Sequence, residues 1–216
     1  MNESATSTPL LAWVLGIAGL VAVVGATLAA ARARAPAQRE TPEGTETGGA
    51  GFAWIVIAGI AYAVLALAAS IEPGGDGVRA AILQIGAVML AAALGLVSLG
   101  GRRSTEETGS RVSSLGVVVA WLSLVGLPPT VGFHGKLLVY RSLLEAGWGW
   151  ATAIALAGTA AALAPAFRAL TVPARREVTR SRAMLIVLLV GALLILGIYP
   201  QTAQSLIALL MGSRAL

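Results

Sequence analysis

The chain has 216 residues, of which 57% are hydrophobic and 12% are charged, and its mean hydropathy is +0.84. That balance is too apolar for a soluble globular domain and is typical of a bundle of membrane helices. The net charge of +5 comes from arginines in short loops beside apolar runs, a pattern that indicates membrane topology and no nucleic-acid binding. The chain has no cysteine, so it offers neither disulfides nor thiolate ligands.

Apolar runs near the length needed to cross a bilayer follow one another along the chain. They predict an all-α fold, a polytopic membrane helix bundle of six to seven spans in a single membrane domain over residues 1–216. After Pro200 the chain alternates apolar and polar residues, which predicts an amphipathic interfacial tail over 200–216. The predicted spans are 10–31, 51–70, 80–100, 113–128, 147–170 and 182–199, with a shorter, broken segment at 131–146.

Arginines are concentrated in three connectors, which follow residues 31, 100 and 170. The first two lie on one side of the membrane, and the positive-inside rule makes that side cytoplasmic. The third shares this side only if the segment 131–146 does not cross. Charge counting therefore favours a re-entrant segment.

The stretch GLPPTVGFHGKLLVY, residues 126–140, places polar groups in an apolar zone, and Lys136 in it is the only lysine of the chain. A cation at membrane depth requires a partner or a polar interior. A buried lysine can become neutral, which an arginine cannot, so one interpretation is a proton relay. The other interpretation is a lysine that snorkels to the interface beside a helix end. These residues alone favour neither.

The same stretch carries signals for an interrupted helix. Pro128 and Pro129 cannot continue a helix, and Gly132 and Gly135 allow the chain to bend. Interrupted helices at membrane depth line cavities or water. We therefore expect one discontinuous helix after the GLPP motif, broken also at the two glycines.

Two further titratable residues lie close to Lys136 in sequence. His134 would face away from Lys136 on a regular helix, but a broken helix would let the two share protons; otherwise its ring bonds a nearby carbonyl. Glu145 is nine residues beyond Lys136 and is spaced for a helical ion pair with Arg141. Proton transfer is therefore predicted for Lys136, His134 and Glu145. Possible supporting polar residues are Arg141, Arg168, Gln84 and Tyr62.

Other chemistry lacks the residues that it needs. A single histidine and no cysteine provide no metal site and no ligands for haem or iron–sulfur clusters. No paired carboxylates, no nucleophile with a base and no phosphate-binding glycine motif occur. We expect no cofactor in this chain and no independent catalytic activity.

The residues around Lys136 resemble a known family. LSLVGLPPTVGFHGKLLVYRSLLEAG is similar to the stretch LSLAGxPPxxGFxGKFxLFxxAxxAG of the antiporter-like membrane subunits of respiratory complex I (NADH:quinone oxidoreductase), closest to the N-type subunit. GIYPQTAQSLIALL resembles the terminal GxxPQP stretch. The match corresponds to the C-terminal half of such a subunit, and the first bundle has no counterpart. Where the family has Lys-Arg and then Ser-Ser-x-x-His, this chain has neither lysine nor histidine.

The resemblance implies that Lys136 occupies the position of a lysine involved in proton transfer on a discontinuous helix. It implies that 131–146 crosses the membrane, against the charge count, so the orientation stays open. It also implies a non-redox subunit of the membrane arm of a complex I-like assembly in a bacterial inner membrane. The expected partners are other membrane subunits and lipid, with quinone and NADH bound only through other subunits. Two alternatives stay open: a structural or assembly subunit without its own proton path, and a component of a multisubunit sodium/proton antiporter.

Overall fold

The computed structural model of the chain describes residues 7–32, 46–71, 76–100, 102–103, 107–171 and 176–210. Within these ranges the chain forms eight α-helices and one pair of two-residue strands. The predicted connector 31–50 and the tail 211–216 lie largely or wholly outside the described residues. The elements are α1 (Ser7–Arg32), α2 (Glu46–Ala69), α3 (Gly77–Leu99), β1 (Arg102–Arg103), α4 (Glu107–Val125), α5 (Val131–Glu145), α6 (Gly149–Thr171), β2 (Arg176–Glu177), α7 (Arg180–Ile198) and α8 (Pro200–Leu210).

The predicted all-α membrane bundle is confirmed. Four of the described helices, α1, α2, α3 and α7, are long and apolar enough to cross a bilayer. α4 and α6 carry the shorter apolar stretches Arg111–Val125 and Gly149–Ala164. Helices satisfy their own backbone groups in lipid, so runs of this composition form spans. The protein is an integral membrane protein.

α2 packs antiparallel against α1 on one side and against α3 on another, in each case through small residues. A Cβ on Gly19 would lie 2.9 Å from the side chain of Leu65, and one on Gly59 would lie 2.6 Å from Val88. Near the far end of α3, Gly95 faces the ring of Phe52. Apolar surface gains nothing by leaving lipid, so close backbone approach at small residues replaces the hydrophobic effect as the source of helix contact.

α4 and α5 form the predicted discontinuous helix and follow α3 in the opposite direction. Ser113 near the start of α4 donates to the carbonyl of Ser98 at 2.8 Å, and Gly135 of α5 packs on Gln84 near the start of α3. The interruption is residues 126–130. α5 is continuous from Val131 to Glu145. The predicted break at Gly132 and Gly135 is therefore wrong, because both glycines serve close packing.

The loops after α3 and after α6 lie at the same end of the bundle. β1 pairs antiparallel with β2, and Arg182 at the start of α7 donates to the carbonyl of Gly100 at 2.8 Å. The chain thus leaves this end through α4 and returns to it through α6. α5 continues along α3 in the direction begun by α4. The connectors after residues 100 and 170 share one side, in agreement with the charge count.

Tryptophans mark the opposite end of the bundle. Trp13 of α1 lies 5.5 Å from Trp148, measured between ring centroids, and 5.8 Å from Trp150. Both partners lie around the α5–α6 turn. Amphipathic indole rings concentrate at membrane–water interfaces, so this cluster is typical of an interfacial belt. α8 begins directly after α7, and its interfacial position remains a prediction.

Candidate functional site

The site begins where α4 ends. Gly126 has φ +82°, a left-handed conformation that favours glycine. The N–H of Leu127 donates to the carbonyl of Leu122 at 2.9 Å, and that of Gly126 donates to Ser123 at 3.1 Å. These bonds form a Schellman motif and satisfy two of the carbonyls that a helix end leaves open.

Lys136 satisfies another of those carbonyls. The helical partner of the Val125 carbonyl would be the N–H of residue 129, but Pro129 has none. Instead the ammonium group of Lys136 donates to Val125 O at 2.8 Å. The lysine is only 4% exposed. A Cβ on Gly126 would lie 2.8 Å from its Cδ, so the glycine also leaves room for the lysine stem.

The two glycines of α5 bring the lysine to this position. A Cβ on Gly132 would overlap the backbone carbonyl of Ser123, and one on Gly135 would lie 2.6 Å from Oε1 of Gln84. α5 therefore approaches α4 and α3 at backbone distance. Close approach of this kind permits Cα–H contacts to oxygen atoms. Oε1 of Gln84 and Oγ of Ser123 are buried and have no hydrogen-bond partner among the described residues.

A cluster of hydroxyl groups surrounds the amine. Nζ of Lys136 lies 3.4 Å from Oγ1 of Thr159 on α6 and 4.5 Å from the centroid of the Tyr62 ring on α2. The Thr159 hydroxyl also lies 2.8 Å from the hydroxyl of Tyr62 and 2.6 Å from that of Tyr140. The Tyr62 hydroxyl donates to the carbonyl of Ala155 at 2.6 Å. We call Lys136, Tyr62, Tyr140 and Thr159 the lysine–hydroxyl cluster.

All of these partners are neutral. The charged amine is stabilised by a carbonyl, a hydroxyl and the face of an aromatic ring, each a recognised partner of a cation. Lys136 forms no ion pair within the part of the chain that the structure describes. Loss of its proton therefore leaves no unpaired carboxylate charge beside it among the described residues.

The structure separates the other predicted titratable residues from Lys136. His134 packs edge-on against Phe133, 5.5 Å between centroids. Its Nδ1 is buried without a hydrogen-bond partner in the described ranges, and it is not part of the lysine–hydroxyl cluster. Glu145 accepts from Nε of Arg141 at 2.7 Å. Glu145 lies at the far end of α5, about 13 Å along the helix axis from Lys136.

The predicted supporting residues differ in their positions. Tyr62 belongs to the lysine–hydroxyl cluster. Gln84 is 2% exposed and donates from Nε2 to the carbonyl of Gly59 at 3.3 Å, so it joins α2 to α3 beneath Gly135. Arg168 lies in α6, and its side chain is outside the described part. No group of three or more metal-ligating side chains occurs among the described residues.

Sequence analysis missed Tyr140 and Thr159. Tyr140 is four residues beyond Lys136, so the two share one face of α5. This spacing is visible in the sequence and could have found it. Thr159 is a hydroxyl in an alanine-rich stretch of α6, but nothing in the chain around it points to Lys136. Its role follows only from the packing of α6 against α5.

The fold and the cluster define a multi-pass helical membrane protein with a buried amine at an interrupted helix. No family model matches the chain. Curated proteins that are similar to it are named NADH-quinone oxidoreductase subunit N. That of Geobacter metallireducens is 38% identical over 106 residues, covering 44% of this chain and 22% of the relative. That of Solidesulfovibrio magneticus is 29% identical over 181 residues, 74% of this chain and 39% of the relative.

A subunit N of Streptomyces griseus is 38% identical over 92 residues, 35% of this chain and 20% of the relative. The chain thus spans between a fifth and two fifths of the length of these relatives. The resemblance to the N-type membrane subunit of complex I is confirmed, and the similarity is to part of that subunit.

Proposed function

We propose that the chain is a membrane-arm subunit of a complex I-like, proton-translocating oxidoreductase, and that Lys136 carries one step of a proton path. The proposal is supported by the printed name of the relatives, NADH-quinone oxidoreductase subunit N. The observation that carries the lysine's role is its amine, 4% exposed, held at a helix break by neutral groups.

The chemistry of an amine fits this role. A lysine can exist charged or neutral inside a protein, whereas a guanidinium stays charged. In the charged form the amine of Lys136 donates to Val125 O and Thr159. In the neutral form it can still donate to the carbonyl and has a lone pair to accept a proton. One side chain can therefore take up and release a proton without a large rearrangement of α5.

We assign electron transfer to other subunits. The chain has one histidine and no cysteine, the residues that hold haem and iron–sulfur clusters most often. NADH and quinone would therefore meet this chain only through its neighbours. The proposed partners are the other membrane subunits of the assembly and the surrounding lipid.

We place the arginine-rich end of the bundle in the cytoplasm of a bacterial cell, with the protein in the inner membrane. The loops after α3 and α6 meet at this end, and both carry arginines. Cytoplasmic loops carry an excess of lysine and arginine. Accessibility of a cysteine introduced at Arg182, tested in whole cells and in inverted vesicles, decides the orientation. Labelling from outside intact cells would contradict this placement.

Two replacements of Lys136 test its role, measured as redox-driven proton uptake in inverted membrane vesicles. Lys136→Met removes both the charge and the donor, and Lys136→Arg keeps both but cannot lose its proton. We expect both to lower proton uptake by about tenfold or more, a modest share of what positioned proton carriers contribute. Two controls accompany these variants. The first is co-purification with the neighbouring subunits, and the second is Thr152→Val, which removes a buried hydroxyl that bonds the carbonyl of Trp148 just before α6. Normal uptake with Lys136→Arg in an assembled complex would refute proton transfer by Lys136.

The second candidate is a scaffold subunit without its own proton path. It is favoured by the lack of an acidic partner for Lys136 in the described residues and by the bond from its amine to Val125 O, which a purely structural lysine would also form. This candidate predicts that Lys136→Arg assembles and pumps normally. Lys136→Met would then weaken assembly alone.

A further inference from the structure

The hydrogen bonds of the lysine–hydroxyl cluster have a determined direction. The hydroxyl of Tyr62 donates its only hydrogen to the carbonyl of Ala155. In the contact of 2.8 Å between Tyr62 and Thr159, Thr159 must therefore be the donor. Its single hydrogen is then used, so Tyr140 donates to Thr159 across 2.6 Å.

This assignment saturates the Thr159 hydroxyl. A hydroxyl has one hydrogen and two acceptor lone pairs. Thr159 donates to Tyr62 and accepts from Tyr140 and from the amine of Lys136. Three side chains from two other helices thus converge on one threonine of α6. A group with a packing role alone would not need all of its hydrogen-bonding capacity filled by polar side chains.

The two tyrosines differ in where a proton could go next. Tyr62 is 2% exposed, and its hydrogen ends on an amide carbonyl, which is not a practical proton acceptor. Tyr140 is partly exposed at the surface of the bundle, so it is the tyrosine that an acceptor from outside the cluster could approach. A proton on Tyr62 therefore has no further acceptor, whereas a proton on Tyr140 can pass to a group outside the cluster.

We propose that Thr159 and Tyr140 form a hydroxyl relay that carries the proton of Lys136 to water at the edge of the bundle. The relay rests on the proposed function of Lys136 and adds the route by which its proton leaves. Tyr62 is a positioning residue in this scheme, because its ring holds the ammonium group and its oxygen holds the Thr159 hydrogen at rest.

The transfer has two stages. First the Tyr140 hydroxyl turns outward to a water molecule, and the Thr159 hydroxyl turns from Tyr62 to Tyr140. Then one N–H bond of the ammonium breaks and its proton binds Thr159 Oγ1, the Thr159 hydrogen passes to Tyr140, and the Tyr140 hydrogen passes to the water. The products are a neutral amine, two intact hydroxyls and a hydronium ion. Because each oxygen gains one proton as it loses another, no alkoxide forms.

Replacement of single hydroxyls tests the relay, again as redox-driven proton uptake in inverted vesicles that carry the whole complex. Tyr140→Phe and Thr159→Val remove one hydroxyl each, and Thr159→Ser restores one. We expect Tyr140→Phe and Thr159→Val to lower proton uptake by about tenfold, and Thr159→Ser to recover most of it, as for other positioned proton carriers. Thr152→Val is the matched control, the same substitution two turns away on α6, where the hydroxyl bonds the carbonyl of Trp148.

The possible outcomes distinguish a failure of the relay from a failure of the proposed role of Lys136. Normal uptake with Tyr140→Phe, together with loss of uptake in Lys136→Met, would overturn the relay and leave the role of Lys136 intact. Normal uptake in both variants would overturn the role of Lys136 as well. Failure of Thr159→Ser to recover uptake would also overturn the relay, because serine keeps the hydroxyl. If Thr159→Val does not assemble, Tyr140→Phe decides alone.

Discussion

The two ends of α5 are flanked by the same left-handed glycine turn but differ in the side chains around it. Gly126 before the helix and Gly147 after it both adopt the left-handed conformation, with φ of +82° and +77°. At the first end Gly126 lies against the stem of Lys136. At the second end a Cβ on Gly147 would have no neighbour within 4 Å, and the charged residues there, Arg141 and Glu145, pair with each other.

The backbone bonds at the two ends are the same, so the difference lies in the side chains. After α5, the N–H groups of Gly147 and Trp148 donate to the last turn of the helix, as those of the two residues after Val125 do at the end of α4. At the end of α4 the amine of Lys136 donates in addition to the carbonyl of Val125. The close approach of α5 to α4 at Gly132, and not the glycine turn by itself, therefore brings the amine to a helix end.

We expect the largest effect on stability from a side chain added between α5 and α4. Gly132→Ala would place a Cβ onto the carbonyl of Ser123, so α5 must separate from α4. Overpacking of this kind destabilises by about 1 to 3 kcal/mol, and a rigid backbone neighbour favours the upper part of that range. Gly191→Ala on α7, with nothing within 4 Å, controls for helix propensity. Thermal unfolding of the purified complex should be lowered by the first variant only; equal stability of the two would contradict the close packing.

A smaller effect distinguishes the two glycine turns directly. Gly126→Ala and Gly147→Ala each force a side chain into the left-handed region at a cost of about 1 to 2 kcal/mol. Only Gly126→Ala also displaces Lys136, because its Cβ would lie 2.8 Å from Cδ of the lysine. We expect both variants to lose stability, and the first alone to lose proton uptake. A loss of uptake in both would show that turn strain, and not the lysine contact, matters.

We expect the smallest effect on stability and proton uptake from loss of the exposed ion pair between Arg141 and Glu145. Arg141→Gln breaks the bond to Glu145 at 2.7 Å, but the Arg141 side chain is 71% exposed. Ion pairs in such positions contribute about 0 to 1 kcal/mol. Both stability and proton uptake should stay near those of the unaltered complex, measured beside Lys136→Met. If Arg141→Gln lowered proton uptake as much as Lys136→Met does, Glu145 would belong to the proton path after all.

The sequence supported the identification of the membrane fold and the position of the site because both depend on residues that are costly in lipid. A single lysine in an apolar run is rare enough to be informative alone, and two prolines locate the interruption. The glycines were misread as bends because glycine also marks close helix contact in membranes. A glycine at a bend and a glycine at a close helix contact look alike in the sequence. Only the positions of α3 and α4 against α5 distinguish the two roles.

The rest of the site depends on contacts between helices. Thr159 and Tyr62 lie 23 and 74 residues from Lys136, and neither spacing has meaning until α2, α5 and α6 are packed together. Glu145 was predicted beside Lys136 because both are titratable and near in sequence. On a continuous helix nine residues place them about 13 Å apart, a separation that the sequence spacing already implied, because the predicted bends at Gly132 and Gly135 both precede Lys136.

The bond from the amine of Lys136 to the carbonyl of Val125 ties the last turn of α4 to a side chain of α5. Whenever the amine of Lys136 turns away from Val125, a carbonyl in the interior loses its donor, and an unsatisfied group of this kind destabilises by about 1 to 3 kcal/mol. That cost favours the amine at its place beside Val125, so the end of α4 and the position of Lys136 stabilise each other.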